Sequence, residues 1–96
     1  ITRFASPLYL AWIRTRPCVI CCAPGNSDNP IVAHHIKGLG YFSGVAIKAG
    51  DHMAMSLCAK CHSAWHQSPE YELQWEWLAR TASAALVEIA EKRLLL

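Results

Sequence analysis

Charge is scarce in this 96-residue chain. Nine basic and seven acidic residues leave a net charge of only +2 with the histidines neutral. A protein that grips DNA by electrostatics alone carries a stronger basic footprint. A nucleic-acid partner would therefore need help from a metal, a further segment or a second protein. The basic residues (Arg3, Arg14, Arg16, Lys37, Lys48, Lys60, Arg80, Lys92 and Arg93) are scattered, as ordinary solvated positions are. Long apolar runs are also missing, so no transmembrane helix is expected and no membrane partner is implied. No signal-peptide pattern, internal repeat or low-complexity tract is visible. The metallopeptidase motif HExxH is absent, and no glutamate lies near the histidines. An initiator methionine is absent too. The chain starts at Ile1, and we expect it to be the C-terminal part of a longer protein.

What is present suits one packed domain over residues 1–96. The apolar fraction is 53%, with four tryptophans, which excludes a disordered chain. Ser6-Pro7 is a helix start, an N-cap followed by proline, and Pro17 stops that helix near Arg16. Leu8, Trp12 and Ile13 would share its face. The stretch Ile31–Ile36, IVAHHI, is short, partly β-branched and bounded by Pro30 and Gly38, which reads as a strand. Lys37–Asp51 holds four glycines and reads as a loop with a short strand around Val45–Ile47. A second strand is expected over Met53–Leu57, then a helix carrying His62 and His66. Ser68-Pro69-Glu70 starts a last helix that should run to about Arg93, with Tyr71, Trp75, Leu78, Ala82, Leu86 and Ile89 as its packing face.

Five cysteines occur, and four of them pair by spacing: Cys18-x-x-Cys21 and Cys58-x-x-Cys61. Each CxxC turn brings two thiolates to one side of a knuckle. Two such knuckles complete a tetrahedral, closed, structural zinc site. The odd count also fits a metal site in a reducing compartment better than a disulfide framework. Cys22 is the surplus thiol and reads as a buried small hydrophobe.

The second cysteine pair runs straight into histidines: Ser56–Ser68 is SLCAKCHSAWHQS. On a helix His62 and His66 lie on one face, about 5–6 Å apart at Cβ, which suits two imidazoles on one cation. His34-His35 sits on the strand that the zinc clamp would hold beside this helix. Strand, loop, strand and helix around one ion form a ββα-metal arrangement. A strict pleat sends adjacent side chains to opposite faces, so both His34 and His35 serve one site only at the strand edge or on a twisted strand.

The order Cys18-x-x-Cys21, His34-His35-Ile36, Leu57-Cys58-x-x-Cys61-His62-x-x-x-His66 resembles the HNH nuclease superfamily. The resemblance implies an α+β fold: a small ββα-metal core clamped by the four-cysteine zinc, with flanking N- and C-terminal helices. It implies that His34, His62 and His66 hold a catalytic divalent ion and that His35 is the general base. The family's asparagine has no counterpart in AGDHMAM. Asp51 is the candidate to orient His35, with His52 as runner-up. More narrowly, HHIKGLGYFSGVAIK, GDH and LCAKCHSAWH resemble the bacteriophage recombination enhancement function (Ref) group, endonucleases that cut DNA where a RecA filament has assembled. That likeness implies DNA and RecA as partners and the bacterial host cytoplasm as location. Three imidazoles suit zinc or another transition ion, while related enzymes often turn over with magnesium.

The residues suit phosphodiester hydrolysis, which needs an in-line water, a base that titrates near neutrality and charge neutralisation at phosphate. Trp65, Trp75 and Trp77 could stack on bases, but their helical spacing favours core packing. The competing reading is a non-catalytic zinc module that binds DNA or a protein, with His34, His62 and His66 closed into a second structural site by Cys22 or Asp51.

Overall fold

Ser6 caps the first helix, α1 (Pro7–Ile13), its Oγ accepting from the Tyr9 N–H at 3.1 Å, with proline at the first helical position. In the computed structural model, which describes residues 3–38 and 49–92, α1 is followed by strand β1 (Ile31–His35). A 3₁₀ turn (Asp51–Met53) leads into strand β2 (Ala54–Cys58) and helix α2 (Ala59–Gln67), and helix α3 (Leu73–Glu91) closes the order. Two strands and three α-helices among the described residues make a small α+β fold. The strand expected around Val45–Ile47 lies outside the described residues, as does the expected helix end at Arg93.

The strands pair antiparallel, with Ile31 opposite Cys58, His34 opposite Met55 and His35 opposite Ala54. Directly opposed residues share a face of the sheet. Val32, His34, Met55 and Leu57 therefore look one way, toward the core that Trp65 of α2 and Trp77 and Leu78 of α3 complete. His35 and Ala54 look the other way, toward α1 and the chain that precedes it. All five residues of β2 are buried, so this strand is covered on both faces. Ser56 Oγ donates to the Pro17 carbonyl at 2.9 Å and its own carbonyl accepts from Val19 N–H at 2.9 Å, which ties the segment after α1 to β2.

Four expectations shift. Helix α1 ends at Ile13, with a turn through Arg16, and Ile13 is its buried residue; Leu8 is 83% exposed and outside the packing face. Helix α3 starts at Leu73: residues 69 and 70 are irregular, residues 71 and 72 form a turn, and the Glu70 carbonyl accepts from Trp65 Nε1 at 3.4 Å. Its buried face is Gln74, Trp77, Leu78, Thr81 and Ala85, while Tyr71, Trp75 and Leu86 are exposed. Apolar residues circle much of this helix, so periodicity alone allows more than one stripe. Specific hydrogen bonds bring the polar Gln74 and Thr81 inside: Thr81 Oγ1 donates to the Trp77 carbonyl at 3.0 Å. Gly38 adopts φ +70°, and a Cβ there would lie 2.5 Å from the Tyr71 ring, so the turn after β1 requires glycine.

Candidate metal centres

Cys18 and Cys21 sit on the turn after α1, Cys58 ends β2 and Cys61 lies in the first turn of α2. The four Sγ atoms all lie within 4.8 Å of one another. Cys21 Sγ and Cys58 Sγ are 3.8 Å apart. Bonds of about 2.3 Å to a tetrahedral ion give sulfur–sulfur edges of about 3.8 Å, whereas a disulfide would bring two sulfurs to about 2.0 Å. The donor set thus fits a thiolate-bound metal. Cys58 is also the N-cap of α2, its Sγ accepting from the Cys61 N–H at 3.4 Å. Burial pushes the Cys58 thiol up, but the Cys61 N–H, Asn29 and the neighbouring thiols outweigh it and bring the pKa to about 6. Burial and the surrounding sulfurs push Cys61 well up. Four thiolates this close need a cation to ionise together. Cys22 is a correction: it is exposed and outside the cluster. Its N–H donates to the Cys18 carbonyl at 2.8 Å and its φ is +64°, so it closes the knuckle turn from outside the core.

The second cluster is built on α2 and β1. The i, i+4 spacing sets His62 Nε2 and His66 Nε2 3.1 Å apart. His34 reaches the same place from the strand, with ring centroids 5.2 Å from His62 and 6.1 Å from His66. One ligand nitrogen from each of the three lies within 4.8 Å of the others. Nitrogens on one ion with bonds of about 2.0–2.1 Å stand about 2.9–3.4 Å apart, so the helix pair is already at that spacing. His34 is 1% exposed and packs edge-on against Trp65 at 4.7 Å. Its Nδ1 is buried with no hydrogen-bond partner, an orphan that a metal bond would satisfy. Burial lowers the His34 pKa to about 4, with His62, His66 and Lys37 adding like charge. The same causes in the same order, burial and then His66 and Lys37, lower His62. The cluster is therefore biased toward neutral rings, the form that binds metal. Among the described residues the group holds these three ligands; Cys22 and Asp51 both lie elsewhere.

His35 leaves the strand on the opposite face. Its Nε2 lies 2.8 Å from Asp51 Oδ1. Asp51 is itself held from the N-terminal side: Arg3 donates to Oδ1 at 2.6 Å and Ser6 N–H donates to Oδ2 at 2.7 Å. Arg3 Nε is also fixed, to the Ala49 carbonyl at 2.9 Å. The hydrogen bond from His35, then the Ser6 N–H, then the Arg3 charge keep the Asp51 carboxyl below its usual range despite its burial. An ionised carboxylate only accepts, so the proton between the two is on His35 Nε2, which leaves Nδ1 as its basic nitrogen. Asp51 thus stands against His35 and His52 does not; His52 packs edge-on against Phe4 at 5.3 Å. Trp65 and Trp77 are core residues and Trp75 is exposed.

Sequence reasoning missed two residues here. Arg3 reads as a solvated cation, and only the fold brings it to Asp51. Gln74 is hidden by the helix face chosen for α3, although a glutamine among tryptophans and leucines is a visible signal.

Residues 1–87 match the family described as a protein of unknown function, DUF968. The chain belongs to the DUF968 family. One relative by sequence is the uncharacterized protein YdfU of Escherichia coli (strain K12), 33% identical over 89 residues. The match covers 88% of this chain and 24% of that protein, so the chain spans about a quarter of its relative's length. No solved structure matches this DUF968 chain.

Proposed function

We propose that this chain is a metal-dependent DNA endonuclease of the HNH type, directed to DNA coated by a RecA filament. The observation that carries the reading is the three-imidazole cluster His34, His62 and His66, with a buried unpartnered Nδ1, on the strand whose next residue is the Asp51-held His35. A divalent ion held by the three histidines would neutralise charge at the scissile phosphate and at the departing 3′ oxygen. His35 takes the proton of the attacking water at Nδ1, and Asp51 stabilises the imidazolium that forms while holding Nε2–H. The water oxygen bonds to phosphorus as the bond from phosphorus to the 3′ oxygen breaks, that oxygen takes a proton from solvent, and the products carry 5′-phosphate and 3′-hydroxyl ends. The four cysteines would hold a structural zinc, which would fix the knuckle to the start of α2 and keep His62 and His66 facing the strand. His34 and His35 point to opposite faces, so a phosphate would be addressed across the end of β1, where the strand stops at His35.

The reading is tested by incubating purified protein with supercoiled plasmid, with and without a RecA filament, in magnesium and in zinc. Nicked or linear product that requires the filament and is lost in His35→Ala is the expected result. Intact plasmid in every arm, with both metal sites loaded, would favour the non-catalytic zinc module instead.

A further inference from the structure

We propose that Gln74 is a positioning residue: it holds His34 as the Nε2–H tautomer and so leaves the His34 Nδ1 lone pair for the ion shared with His62 and His66. The inference rests on the histidine-site reading above and deepens it. Gln74 is 0% exposed on the first turns of α3 and every hydrogen-bonding position of its amide is filled. Its Nε2 donates to the Lys37 carbonyl at 2.8 Å and to the Tyr71 carbonyl at 2.8 Å. Its Oε1 accepts from the Lys37 N–H at 2.9 Å and lies 2.8 Å from His34 Nε2.

These partners settle which way round the amide sits. A flipped amide would set its NH₂ against the Lys37 N–H and its oxygen against two carbonyls. With Oε1 facing His34, only a donor can stand at His34 Nε2, and the ring's other nitrogen must be the unprotonated one. That other nitrogen is the buried Nδ1 without a partner. Histidine ligands are commonly oriented through the ring nitrogen they do not use for the metal, and loss of such a partner typically weakens metal affinity about 10–100-fold. Gln74 also reaches the turn after β1 through Lys37. One side chain thus ties α3 both to the turn after β1 and to the ligand on that strand.

The test uses the protein with its cysteine site loaded with zinc and cobalt(II) titrated into the histidine site. Gln74→Met keeps volume and removes the polar contacts; it should weaken cobalt binding about 10–100-fold. Gln74→Glu keeps an acceptor facing His34 Nε2–H but sets a buried carboxylate against two carbonyls. A purely structural role predicts that Glu is worse than Met, whereas the positioning role predicts tighter cobalt binding by Glu than by Met. Long-range ¹H–¹⁵N spectra of the wild-type protein before cobalt should show His34 protonated at Nε2, a readout that survives even if a variant fails to fold. Protonation at Nδ1, wild-type affinity in Gln74→Met, or Glu no better than Met would overturn the inference. Two bound ions in the wild type alongside any of these would leave the site reading standing. If the wild type takes up no cobalt, the site reading falls and this inference falls with it.

Discussion

His35 and His34 are neighbours in sequence with different electrostatic settings, and their roles separate accordingly. His35 is held by an ionised carboxylate that Arg3 and Ser6 fix in turn, while His34 is sealed between Trp65 and Gln74. His35→Ala should keep fold and metal content and lower the cleavage rate by about 10²–10⁴-fold, the usual contribution of a general base. His62→Ala and His66→Ala should lose the second ion along with activity, and the cysteine zinc should survive in all three. Metal analysis beside a cleavage assay separates the cases; a His35→Ala variant that cuts at the wild-type rate would remove His35 from the chemistry. A pH effect belongs to His34. Its folded pKa lies near 4, below the ordinary value of about 6.5. Above 6.5 the ring is neutral in both states and the folded form bears no penalty. As pH falls from about 6.5 towards 4 the unfolded chain binds the proton first, and stability drops by on the order of 3 kcal/mol. Denaturation midpoints of the protein without an ion at the histidines should therefore fall over that window. His34→Gln should flatten the dependence.

At the scale of elements, the cysteine site joins the turn after α1 to the β2–α2 junction, two pieces that share little apolar surface near the knuckle. The small cluster there is Cys18, Ile31 and Cys58, with Cys61 packed against it. Binding energy at such a site is folding energy. A Cys58→Ser, Cys61→Ser double variant should carry one ion fewer per chain and lose a large part of its helical circular dichroism; unchanged zinc content would refute the cysteine pairing. The paired cysteines are legible in the sequence because CxxC spacing fixes local geometry regardless of the rest of the fold. The i, i+4 histidines are legible for the same reason, and so is the cap at Ser6. The packing face of α3 is not. Trp75, Trp77, Leu78, Leu86 and Ile89 offer overlapping apolar stripes, and the choice among them falls to Gln74, whose partners come from β1 and the turns beyond it. The hydrogen bond between Arg3 and Asp51 joins positions 48 residues apart, and no local pattern records it.

For the whole molecule, charge decides what DNA binding can look like. Net charge is +2, and Arg3, one of the nine basic residues, is already committed to Asp51. Arg80 and Lys92 pair with Glu76 and Glu88 on the same helix at 2.8 and 3.2 Å, exposed i, i+4 pairs that mute each other's field. The other six basic residues are scattered along the sequence and balanced by the chain's acids, and each phosphate neutralised steepens the dependence of log affinity on log salt by about one. We therefore expect these 96 residues to bind duplex DNA weakly, with an affinity that falls as salt rises, and to cut naked plasmid poorly. A RecA-coated strand, or residues of a longer chain, should supply the missing affinity and raise cutting without changing the metal content. Filter binding across a salt series, paired with cleavage on naked and RecA-coated DNA, checks this. Tight, salt-resistant binding by these residues alone would mean that the recognition surface rests on stacking or base-edge recognition instead of charge, and exposed Trp75 would be the first residue to test.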